Sequence, residues 1–174
     1  MIKKKKMRIG MLISLTFLLF GVFSCGGGSS ESKEAEPTDD EAFYSTQPMK
    51  SGLYDASHYD IKGNNERKGP FDGRVYVCLG PKRAALYVFE NGNRTKINFP
   101  IDLTGPFEKT DSGVYVTTDK KDRLVKVWSD STDFCLNFQR SGEDYTIRIA
   151  HAPRQIMSAS DTFTKIEEKV NQPK

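Results

Sequence analysis

Between Gly73 and His151 apolar and polar residues alternate in short runs rich in Val, Ile, Tyr and Phe. A period of two is the mark of a strand with one buried face. The runs predict strands at about 74–79, 84–90, 94–99, 113–118, 123–128, 133–139 and 144–150. Asn91-Gly92-Asn93 can supply the positive backbone angles that a tight hairpin needs. Asp119–Asp122 and Ser141–Glu143 are polar segments of hairpin length. Pro100 and Pro106 interrupt pairing, so an irregular, exposed connection is expected between the third and fourth strands. The pattern predicts an all-β fold, a small antiparallel barrel or sandwich of about seven short strands.

The flanks follow other rules. Ser160–Val170 reads as one short C-terminal helix, with Ser160 or Asp161 as its cap. Residues 49–72 scatter Tyr54, His58, Tyr59 and Ile61 among Gly, Asn, Lys and Pro, and their order is left open. From Gly26 to about Pro48 the chain has almost nothing to bury, and Glu31, Glu34, Glu36, Asp39, Asp40 and Glu41 face only Lys33. Such a segment does not offset its ordering entropy, so residues 25–48 are expected to form a disordered acidic tether. Residues 49–174 then form one β-rich domain, long enough to bury roughly two-thirds of its unfolded surface.

At the N-terminus Lys3, Lys4, Lys5, Lys6 and Arg8 precede an almost unbroken apolar run from Ile9 to Phe23. That run is shorter than the roughly 20 residues needed to span a bilayer, and with its basic head it reads as a secretory signal over residues 1–24. Charge looks different once the signal is set aside. Of 26 basic residues five lie in residues 1–24, which hold no acid, so 21 remain against 23 acidic residues, net −2. The alkaline character of the whole chain belongs to the signal and gives no support to nucleic-acid binding.

The signal ends Val22-Phe23-Ser24-Cys25, followed by Gly26-Gly27-Gly28-Ser29-Ser30. This resembles the lipobox of bacterial lipoproteins, in which the Cys is lipidated and becomes the mature N-terminus. The resemblance implies palmitate-type acylation of Cys25 and a place in the cell envelope, lipid-anchored to a bacterial membrane, the outer membrane above all. Several chains on one Cys would hold the domain there, since each buried methylene adds about 0.8 kcal/mol. The acidic stretch after Ser30 is similar to signals that send some lipoproteins to the cell surface, although a solvated linker has the same composition.

With Cys25 acylated, Cys78 and Cys135 remain, each on the strand face opposite its apolar neighbours. In an oxidising compartment they either pair, adding about 4 kcal/mol in the chain-entropy model, or sit apart as buried thiols. His58 and His151 are the only histidines, and no CxxC, HxxxH or HExxH string offers a zinc site. Asp130 and Asp133 read as turn residues because the Gly and closing Glu of a calcium loop are missing. No GxSxG occurs, and no cofactor motif. The chain reads as a non-enzymatic binder of an envelope protein or cell-wall ligand. Tyr87, Tyr115, Trp128 and Phe107 are candidates either for contact area or for the core.

Two further resemblances sharpen this. Tyr76-Val77-Cys78, Ser112-Gly113-Val114-Tyr115 and Val127-Trp128-Ser129 make residues 76–138 look like the membrane-bound lysozyme inhibitors. That resemblance implies that the loop with Ser112, Gly113 and Tyr115 enters a lysozyme cleft. Val75–Leu79, Leu86–Gly92, Thr104-Gly105 and Thr110–Tyr115 make residues 75–117 look like the opening strands of L,D-transpeptidases. The Ser-His-Gly-Cys string of that family does not follow, so this resemblance implies a catalytically inactive cell-wall protein.

Overall fold

The computed structural model describes residues 39–172. The expected signal, Cys25 and the expected tether as far as residue 38 lie outside the described residues. Ten strands form one antiparallel sheet: β1 (Gly52–Lys62), β2 (Arg67–Leu79), β3 (Ala84–Glu90), β4 (Asn98–Asp102), β5 (Glu108–Lys109), β6 (Tyr115–Thr118), β7 (Leu124–Ser129), β8 (Asp133–Arg140), β9 (Glu143–Ala150) and β10 (Gln155–Ile156). Nine of them run in the order β4-β3-β2-β1-β9-β8-β7-β6-β5, and β10 pairs with the start of β1. Helices α1 (Asp39–Ser45) and α2 (Ala159–Val170) flank the sheet in sequence. The fold is all-β, and the choice between barrel and sandwich resolves to a curled half-barrel.

Alternation explains the curl. Val75, Val77 and Leu79 of β2, Leu86 and Val88 of β3, Leu136 and Phe138 of β8, and Ile147 and Ile149 of β9 all join one buried cluster. Among the described residues no second sheet covers that face, and the sheet bends over itself to exclude water from it. Its two margins then touch. Leu103, just past β4, bridges Asp119, just past β6. The Thr104 amide donates to the Thr118 carbonyl at 2.9 Å and the Lys120 amide to the Asp102 carbonyl at 3.1 Å.

Asp119, 5 % exposed, orders the β6–β7 turn that forms one side of this seam. Its carboxylate accepts from the Lys121 and Arg123 amides at 2.8 and 2.9 Å and from Arg123 Nε at 2.8 Å. Burial acts to raise its pKa, but the Arg123 side chain and the two amides outweigh it and hold the carboxyl below its ordinary range.

Strands 84–90, 123–128, 133–139 and 144–150 appear where the pattern puts them, within a residue at each end. Elsewhere the structure corrects the reading. The transitional residues 49–72 supply β1 and half of β2, which lie at the centre of the sheet. The strand expected at 94–99 begins at Asn98, because Asn93 and Lys96 take positive φ of 59° and keep the chain in a loop. Pro100 does not interrupt β4: it lies opposite Tyr87 in the first strand of the sheet order, where among the described residues no strand pairs with Pro100 on its other side. Ser141 and Gly142, with φ of 52° and 79°, form the two-residue turn between β8 and β9.

The first described residues also depart from the sequence reading. Asp39–Ser45 is helical, and Gln47, 8 % exposed, bonds Phe107 in both directions: its Oε1 accepts the Phe107 amide at 3.0 Å and its Nε2 donates to the Phe107 carbonyl at 3.4 Å. The tether reading therefore fails for residues 39–48, which the exchange of bonds with Phe107 anchors. At the other end the cap of α2 is Ser158, not Ser160 or Asp161. Its Oγ accepts the Asp161 amide at 3.0 Å and donates to the Asp161 carboxylate at 2.7 Å. Ile166, Phe163 and Ala159 of α2 cover Cys78, Ala85 and Tyr87 on the outer face of β2 and β3.

Among the buried acids, Tyr54 and Cys78 move furthest and dominate the alkaline limit of this fold. Burial pushes the Tyr54 hydroxyl, bonded to the Lys50 carbonyl at 2.8 Å, from 10.0 up to about 12. Burial likewise pushes the Cys78 thiol, bonded to the Ala159 carbonyl at 3.2 Å, from 9.0 up to about 11. Both pKa values rise on folding, so each contribution is complete below the unfolded value and is lost as pH climbs through the folded one. Urea midpoints should hold steady up to about pH 9 and then decline between pH 9 and 12. Cys78→Ala should make the pH 9–11 part shallower; a variant curve parallel to the parent would refute the assignment.

Candidate functional site

The candidate site lies on the outer face, away from α2. Its origin is an irregularity in β1. Before Ser57 the residues at even positions, Tyr54 and Ala56, point into the core; after it the odd ones, Tyr59 and Ile61, do so. A bulge between Ala56 and His58 causes this change of phase. His58 and Asp60 are thereby turned outwards. Register then aligns Pro70 of β2, His58 of β1, Arg148 of β9, Cys135 of β8 and Trp128 of β7 in one row across five strands. Beside it runs a second row, Lys68, Asp60 and Thr146.

The two rows line a groove of about 590 Å³, with Asp130 at the Trp128 end. Trp128 and Arg148 are half-buried, while Pro70, His58 and Lys68 are exposed. The formal charges cancel: Asp60 and Asp130 balance Lys68 and Arg148. Arg148 Nη1 meets Asp130 Oδ2 at 2.7 Å, and Asp130 Oδ1 accepts the Ser131 amide at 2.6 Å. The Ser131 amide and then Arg148 hold the Asp130 carboxyl below its ordinary range. Arg148 is therefore fixed beside Cys135 with its plane set by a carboxylate.

Chemically the groove is equipped to hold and poorly equipped to react. Cys135 is 3 % exposed, and burial pushes its thiol pKa up more than Arg148 pulls it down. A thiol that keeps its proton at neutral pH is a poor nucleophile. Next to the groove, Ser129 Oγ lies 3.0 Å from His151 Nε2, and the imidazole packs edge-on against Phe134 at 4.6 Å between centroids. Sequence reading missed this contact, since the two residues stand 22 apart in the chain. Among the described residues no acid bonds the other ring nitrogen, so the pair lacks the orienting member that activated hydroxyls require. Among the same residues no group of three His, Cys, Asp or Glu is arranged to hold a metal ion. None of their helices is long and apolar enough to cross a membrane.

The other sequence candidates scatter. Cys78 and Cys135 are free thiols, which corrects the disulfide alternative. Strands β1 and β9 separate β2 from β8. Three inter-strand steps amount to roughly 14 Å, twice the Cα separation that a disulfide tolerates. Phe107 and Tyr87, 3 % and 5 % exposed, belong to the core and to the α2 contact and are not contact residues. Ser112 and Gly113 stand exposed at the tip of the β5–β6 hairpin, at the far edge of the sheet. There the Thr110 amide and hydroxyl both donate to the Val114 carbonyl at 2.8 Å, and Thr110 Oγ1 lies 2.9 Å from Ser112 Oγ. Tyr115, half-buried, packs against the main core with Lys109 Nζ 5.7 Å from its ring centre. The hairpin and the groove are separate surfaces.

Comparison with protein-family models, with curated proteins and with solved structures returns no match, so the functional reading rests on this geometry.

Proposed function

We propose that the chain is a lipoprotein of the bacterial envelope, anchored to the outer membrane through acyl chains on Cys25, whose β domain binds a cell-wall glycan without altering it. One observation carries the reading: the groove combines a half-buried indole and a proline ring with hydroxyl, imidazole, carboxylate and guanidinium groups whose charges cancel. A sugar ring offers an apolar C–H face and a rim of hydroxyls. Trp128 and Pro70 suit the face; Thr146, Asp60, His58 and Arg148 suit the rim. A neutral lining favours an uncharged polyhydroxyl segment over a strongly ionic one. The protonated Cys135 thiol and the Ser129–His151 pair without an orienting acid argue for binding alone.

Cell-wall sacculi sedimented with the protein should retain it saturably, and Trp128→Ala should weaken retention at least about tenfold, the effect of losing a central aromatic anchor. Retention unchanged in Trp128→Ala, or absent in the parent, would remove the glycan reading. The anchor has its own check. Cys25→Ser should abolish incorporation of a clickable palmitate analogue and free the protein from membranes; continued labelling would exclude acylation at this position.

A second reading has an observation of its own in the β5–β6 hairpin. Its tip exposes Ser112 on a turn held by two bonds from Thr110 to one carbonyl, the kind of rigid loop that inserts into a cleft. Lysozyme inhibition through Ser112 predicts that micromolar protein slows lysis of cell-wall substrate and that Ser112→Trp restores the rate. Full lysis in the presence of the parent protein would dispose of it.

A further inference from the structure

Beside the seam lies a second concavity that the glycan reading does not use. The end of β4 (Pro100–Asp102), the β6–β7 turn from Asp119 to Arg123 and the β8–β9 turn at Arg140–Ser141 line a pocket of about 330 Å³. Lys120, Lys121, Arg123 and Arg140 face it, against Asp102 and Asp119. Both carboxylates are already engaged. Asp119 holds Arg123 and two backbone amides, and Asp102 lies 3.6 Å from Lys120 Nζ. Among the described residues the ion pairs leave Arg140 and Lys121 without a carboxylate.

Arg140 is the telling member. Its guanidinium lies over the Phe99 ring, 4.0 Å from the centroid, which fixes it at the pocket wall rather than free in solvent. It is half-buried, and burial together with the like charge of Arg123 pushes its pKa down. Two guanidiniums brought together by the fold repel, and an anion placed between them reverses the sign of that interaction.

We propose that this pocket binds a phosphate group. Its lining carries a formal excess of two positive charges, which matches a dianion, whereas a carboxylate would be satisfied by one guanidinium fork. The positive surface also continues. A neighbouring hollow of about 620 Å³ shares Asp102 and Lys120 with the pocket and adds Lys82 and Arg83 against Glu167, a net excess of one positive charge. Arg83 is itself stacked on Phe163 of α2 at 4.7 Å. That gives room for the body of a phosphorylated molecule, either a sugar phosphate or a lipid headgroup, with the phosphate seated at Arg123 and Arg140.

The test uses the full chain in non-ionic detergent at low salt, followed by amide and indole NMR signals. Inorganic phosphate should give saturable shifts at Lys120, Lys121, Arg123 and Ser141 and none at the Trp128 indole. Arg140→Gln should weaken this binding at least tenfold and Lys121→Gln severalfold, while Lys62→Gln, outside the pocket, leaves it unchanged. Arg140→Gln removes a repelling charge, and its urea midpoint should equal or exceed that of the parent. Glucose 1-phosphate and dihexanoyl phosphatidylglycerol below its micelle concentration, compared at equal concentration, tell the two sources apart; tighter binding of either supports the site. The proposal is overturned if acetate at equal ionic strength gives the same shifts, if shifts spread evenly over all exposed lysines, or if both pocket variants bind phosphate like the parent. None of these outcomes bears on the Trp128 groove.

Discussion

The interaction on which everything else depends is the burial of one apolar face by a sheet that has no second sheet to pack against. Val75, Val77, Val88, Ile147 and Ile149 are fully shielded from water, and what shields them is the far side of the same sheet. Rolling the sheet costs regular pairing at its margins. The cost appears at the β5 margin, where the last strand has only two residues. It is offset where the margins touch, by the Leu103–Asp119 bridge and the Thr104–Thr118 and Lys120–Asp102 backbone bonds. The β6–β7 turn that offers this edge is ordered by the buried Asp119 carboxylate, which answers four donors, two on the Arg123 side chain and two on the backbone. Removing its charge would leave Arg123 unpaired and the β6–β7 amides unsatisfied at the same point.

Because the inner face supplies the main core, the outer face is released for other uses. Part of it is spent on α2, which shields Cys78 and Tyr87 with Ile166 and Phe163. The remainder, from β2 across to β7, carries the groove. The bulge in β1 is what makes these two demands compatible. Without it, His58 and Asp60 would occupy the inward positions that Tyr59 and Ile61 now fill, and polar groups would enter the core unpaired. The bulge therefore serves stability and the site through one local change of register.

This also explains how much was legible in the sequence. Strands with unbroken alternation and a clear turn on each side, such as Ala84–Glu90 and Glu143–Ala150, could be read directly because period two is the whole of their physics. The first strand could not. Its alternation reverses at Ser57, so a fixed-phase reading sees scattered aromatics among polar residues where a central strand stands. The anchoring of Gln47 was hidden for another reason, since its bonds go to a residue 60 positions away. The site was less legible still. Pro70, His58, Arg148, Cys135 and Trp128 become neighbours only through the register of four separate strand pairs, and no local spacing encodes that. The single Trp and the two strand cysteines were visible as candidates; that Trp128 lies against Cys135, and Cys78 does not, is a property of topology.

Charge completes the argument. The chain beyond residue 24 is close to neutral in sum, yet the fold does not spread its charges evenly. The groove pairs Asp130 with Arg148 and sets Asp60 beside Lys68, so a ligand there meets dipoles and an aromatic face rather than a net field. At the seam the geometry that closes the sheet gathers Lys120, Lys121, Arg123 and Arg140 into one small concavity, because the β6–β7 and β8–β9 turns converge on the end of β4. The repulsion this creates is a direct consequence of curling, and Asp119 quenches only part of it. A fold stabilised by bringing two sheet margins together thereby concentrates positive potential where they meet. The two surfaces therefore offer opposite properties: balanced charge and an aromatic face in the groove, excess positive charge at the seam.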